Sequence, residues 1–124
     1  MITLLYIAAF FTFTIGVVHS VLGERYILVR LFRRDNLPKL FGGTKFTVQT
    51  LRFAWHITTI AWWGFSAILI LLANQSFTFH SLSMVLAATF LTTSAIALVG
   101  SRGQHVSWIV FLFIGGVSLY AATT

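Results

Sequence analysis

Four apolar stretches, residues 2–22, 51–73, 81–99 and 106–122, fill most of this chain, and the only charged side chain inside any of them is Arg52, near the start of the second. Each has roughly the 17–25 residues that carry a helix across about 30 Å of hydrocarbon. A soluble domain carries about a quarter charged residues, whereas here 8% are charged and 58% are hydrophobic. A globule of this size has too little interior for so much apolar surface, so the bilayer is the expected solvent. The first stretch has no basic leader and outruns the roughly 7–15 residues of a signal-peptide core, so it reads as a span. The expected fold is all-α: one membrane domain over residues 1–124, built as a four-helix bundle.

The charges set the expected orientation. Glu24, Arg25, Arg30, Arg33, Arg34, Asp35, Lys39, Lys45 and Arg52 lie in or beside the first connection, and Arg102 lies in the third. The second connection, "NQSFTFH", and both chain ends lack them. Basic residues are retained on the cytoplasmic face, which predicts N- and C-termini outside the cytoplasm. In the first connection, Tyr26, Ile27, Leu28, Leu31 and Phe32 interleave with arginines, so the first helix is expected to extend along the headgroups to about Arg34. Asn36 and Pro38 then stop it. Gly42 and Gly43 precede a cap at Thr44 or Thr47. The basic residues there predict contact with anionic lipid headgroups, at about 1 kcal/mol per residue. Nucleic acid is not an expected partner, since these residues serve as membrane anchors. A membrane-protein partner or a homo-oligomer remains open.

With no cysteine present, disulfides and thiolate ligands are excluded. No phosphate-cradling glycine loop, nucleophile elbow or HExxH pattern is found. The chemistry-bearing residues are histidines. His19, His56 and His105 each fall within roughly 5–9 Å of the charged layer at 1.5 Å per helical residue, and are expected on the first, second and fourth helices. His80 lies at the other end. Thr12, Gly16, His19, Ser20 and Gly23 share one helical stripe; His56, Thr59, Trp63 and Ser66 share another. Small and hydroxyl residues mark helix contacts in membranes, so the three imidazoles are expected to converge. Ionisable groups inside a span are candidate functional sites, although a lone histidine there is more often a satisfied packing residue.

Three readings follow. The first is a b-type haem for electron transfer, with His56 as one ligand and His19 or His105 as the other. Arg25, Arg52 and Arg102 would then pair with the propionates. The second is a Zn or Fe ion held by His19, His56, His105 and Glu24. The third is an accessory or structural membrane subunit without a cofactor, in which Trp62 and Trp63 are packing filler. A small multidrug-resistance type of transporter is disfavoured, because no carboxylate precedes Glu24 in the first span. "HSVLGERYILVRLF", followed downstream by "LRFAWHITTIAWWG", resembles a group of small bacterial four-helix inner-membrane proteins of uncharacterised activity. That resemblance implies a bacterial inner-membrane location and assigns no reaction.

Overall fold

The structure, a computed structural model covering residues 1–124, contains four helices and no strand. Helix α1 runs Ile2–Leu31, α2 Lys45–Ala73, α3 Phe79–Gly100 and α4 Ser107–Thr123. Three of them, α1, α2 and α3, are long and apolar enough to cross a membrane. The last, at 17 residues, rises only about 25 Å, shorter than the others.

Only 17 of the 124 residues are buried, and large side chains such as Phe10, Phe11, Phe113 and Tyr120 point outward. Outward-facing apolar surface of this extent is compatible with a hydrocarbon surround. The helices pack in chain order, α1 on α2, α2 on α3 and α3 on α4, with no contact between α1 and α4. The arrangement is an open row of antiparallel neighbours; the bundle expected from the sequence would also bring the first and last helices together. Both chain ends and the second connection share one end of the row, where Tyr6 O–H donates to Asn74 and His80 Nδ1 lies 2.7 Å from the Ala122 carbonyl. The first and third connections lie at the other end, where Phe46, in the first turn of α2, stacks on His105 of the third connection at 5.8 Å.

Helix α1 does extend past its apolar stretch, and it does so through a π-helical turn over Gly23–Leu28, in which the Val29 N–H reaches the Glu24 carbonyl five residues back. Trp55 packs against the start of this turn. Its indole Nε1 donates to the His19 carbonyl at 3.0 Å, and it occupies the space that a Cβ on Gly23 would need. Thr44 sits at the N-cap of α2 without a side-chain cap. Thr47 instead donates to the Pro38 carbonyl at 2.8 Å, tying the connection to the helix. In α3, Thr78 and Ser81 form a reciprocal capping box.

Candidate functional site: a polar chain between the first two helices

The α1–α2 seam is fastened by side-chain donors of α2 reaching main-chain carbonyls of α1. Ser66 donates to Ala9 at 2.8 Å, Trp63 to Phe13 at 3.2 Å, Thr59 to Gly16 at 3.1 Å and Trp55 to His19 at 3.0 Å. The donors recur every three or four residues, so one face of α2 supplies them all. A helical carbonyl already bonded within its helix keeps a second lone pair for each. Glycine permits the approach at Gly16, where an added Cβ would come within 2.8 Å of the Trp63 indole nitrogen.

At the charged end this seam becomes a continuous polar chain. Ser20 and Glu24, one turn apart on α1, face Arg52, His56 and Thr59 on α2. The Ser20 hydroxyl is 2.6 Å from Thr59 Oγ1 and 2.9 Å from His56 Nδ1. His56 Nε2 is 3.1 Å from Glu24 Oε2, and Arg52 donates to Glu24 Oε1 at 3.0 Å. Thr59 is buried, while His56 and Glu24 are about one-third exposed on their side chains.

The hydrogens in this chain can be placed by elimination. A main-chain carbonyl only accepts, so the single Thr59 hydroxyl hydrogen goes to Gly16. The Ser20 hydrogen must then fill the Ser20–Thr59 link, which leaves Ser20 as acceptor from His56 Nδ1–H. The last link, His56 Nε2 to Glu24, still needs a hydrogen. It sits on the ring, giving imidazolium and carboxylate, or on the carboxyl group, giving neutral imidazole and acid. In both cases the completed chain holds one proton more than a neutral imidazole beside a carboxylate.

The other expected site residues are elsewhere. His19 stacks on Trp55 with ring centroids 4.5 Å apart and planes 2° from parallel, and its Nε2 lies 3.2 Å from the Trp55 carbonyl. His105 is not on α4 at all; it lies in the third connection before Ser107, with Nδ1 2.8 Å from the Ser107 hydroxyl. Arg25 lies over the Tyr26 ring at 5.5 Å, and Arg102 stands between α3 and α4. No three histidine or carboxylate side chains are grouped to hold a metal ion, so His19, His56, His105 and Glu24 do not come together as a ligand set. The histidines named as haem ligands stand in separate surroundings. His56 has both ring nitrogens bonded within the protein, and His19 is flattened against an indole.

Trp55 and Trp63 went unrecognised as donors in the sequence. Gly16 and Gly23, spaced by two helical turns opposite a tryptophan-rich stretch, were the available signal. The fold and site thus define an all-helical protein of membrane-compatible helices with a protonatable chain at one end. Compared with protein-family models, curated proteins and solved structures, the chain matches none.

Proposed function

We propose that this is a multi-pass protein of a bacterial cytoplasmic membrane whose working element is a one-proton site shared by His56 and Glu24, at the cytoplasmic end of the α1–α2 seam. The confinement of all ten charged residues to the end formed by the first and third connections supports the orientation, with both chain termini outside. The observation that carries the functional reading is the hydrogen count: four links run from Gly16 through Thr59, Ser20 and His56 to Glu24, and three hydrogens are available without the extra proton. Proton binding therefore changes how α1 is joined to α2. The groups facing His56 are Glu24 from α1, Arg52 from its own helix and Arg102 beyond α3. A histidine-ligated cofactor would have to break the bonds of His56 to Ser20 and Glu24, so the proton reading is preferred to haem or a metal.

Glu24→Gln tests it. The amide of Gln has hydrogens of its own and can donate to His56 Nε2, completing the chain with a neutral ring. Side-chain ¹⁵N NMR of the purified protein, followed as acid is added, reads the ring directly. The wild type passes between two states that differ by one hydrogen on the His56–Glu24 pair, with the Ser20 link changing in step. Glu24→Gln keeps the Nδ1–H to Ser20 link throughout. A Ser20 link indifferent to pH in the wild type would refute the reading.

A further inference from the structure

A groove of about 610 Å³ opens between α2 and α3 at the charged end, with Arg52, Arg102, Gln49 and His56 on its polar side and Phe53 and Ile96 on its apolar side. At Thr92 it meets a second groove of about 500 Å³, walled by Trp63, Ala67, Met84 and Ala88 and free of charged side chains. The two helices touch closely at Gly64 and Gly100. A Cβ there would come within 2.5 Å of the Thr89 hydroxyl oxygen and 2.7 Å of the Phe53 Cβ, respectively. Beside those contacts the seam is a single furrow, with guanidinium groups at one end and hydrocarbon along the rest. From His56 to Ala67 it rises about 16 Å, about half the roughly 30 Å hydrocarbon thickness. That is the depth of one leaflet and the reach of one acyl chain.

Arg102 adds an independent sign. Its φ of 51° lies in the left-handed region and Gly103 follows at 77°, a place where glycine is the usual residue. Arg102 has no carboxylate partner in the protein, and it lines the groove. Arg52 gives one nitrogen to Glu24 and keeps the remaining donors of its fork.

We propose that the furrow binds one anionic phospholipid from the leaflet at the charged end, its phosphate between Arg52 and Arg102 and one acyl chain along Thr92 to Ala67. The site goes beyond the proton chain and stands whether or not that chain operates. The experiment reconstitutes the whole protein in phosphatidylcholine vesicles containing a minor share of phosphatidylglycerol, extracts it, and counts retained lipid by native mass spectrometry. The wild type is expected to keep one phosphatidylglycerol. Arg102→Gly, which relaxes the backbone, and Ala95→Leu, which fills the furrow from an exposed position, are expected to lower retention about tenfold. The double change Arg33→Gln with Arg34→Gln, at the exposed end of the first connection, is expected to lower it far less than Arg102→Gly. Retention that survives Arg102→Gly, or falls equally with the Arg33 and Arg34 changes, overturns the site. So does equal retention of phosphatidylcholine, displacement of the lipid by inorganic phosphate, or a polypeptide found in its place.

Discussion

Thr59 decides more than its size suggests. Because its one hydrogen is committed to the Gly16 carbonyl, the Ser20 hydroxyl hydrogen and the His56 Nδ1 hydrogen are both pointed toward Gly16. Ser20 is the only relay between Thr59 and the imidazole. Ser20→Ala takes away the donor to the buried Thr59 oxygen and the partner of His56 Nδ1, and is expected to destabilise the protein by roughly 1–3 kcal/mol, read as a lower thermal midpoint in detergent. Ser20→Thr, which keeps the hydroxyl, is expected to recover most of that. Arg102 behaves oppositely. An L side chain in the left-handed region costs roughly 1–2 kcal/mol, so Arg102→Gly is expected to raise the midpoint even as it strips the furrow of a charge.

The α1–α2 pair works as a zipper whose teeth are side-chain donors and whose slots are carbonyls. Trp55 fills the space above Gly23 and is also the donor beside the π turn. Gly23→Ala therefore overpacks a site that cannot yield without moving an indole, and a loss of roughly 1–3 kcal/mol is expected. Combining it with Trp55→Leu is expected to return part of that loss, measured as a thermal double-mutant cycle. The small-residue stripe from Thr12 to Gly23 was legible in the sequence, because helical spacing alone puts it on one face. The slots were not: carbonyls are common to all residues, so no pattern of letters shows which one accepts an indole. His105 was misplaced for a related reason. Arg102 and Gly103 end α3 with positive φ, and α4 begins only at Ser107, leaving the histidine on a turn where periodicity has no meaning.

For the molecule as a whole, the long apolar helices were readable from composition, since few charges and long apolar runs leave little else to build. The path of the row was not, because apolar faces that meet lipid and apolar faces that meet a neighbouring helix are spelled with the same residues. Cysteines introduced into this cysteine-free chain test the row directly. The pair Ala9→Cys with Ser66→Cys, at neighbouring positions across the α1–α2 seam, is expected to join within one chain under mild oxidation. A pair placed on α1 and α4, such as Phe11→Cys with Phe113→Cys, is not. Rapid intrachain joining of the second pair would require a closed bundle instead. Contacts confined to successive helices also bear on biogenesis. Each segment meets its partner as soon as the next one leaves the ribosome, so no early helix has to wait for the C-terminus, and the low contact order favours rapid assembly hairpin by hairpin during synthesis.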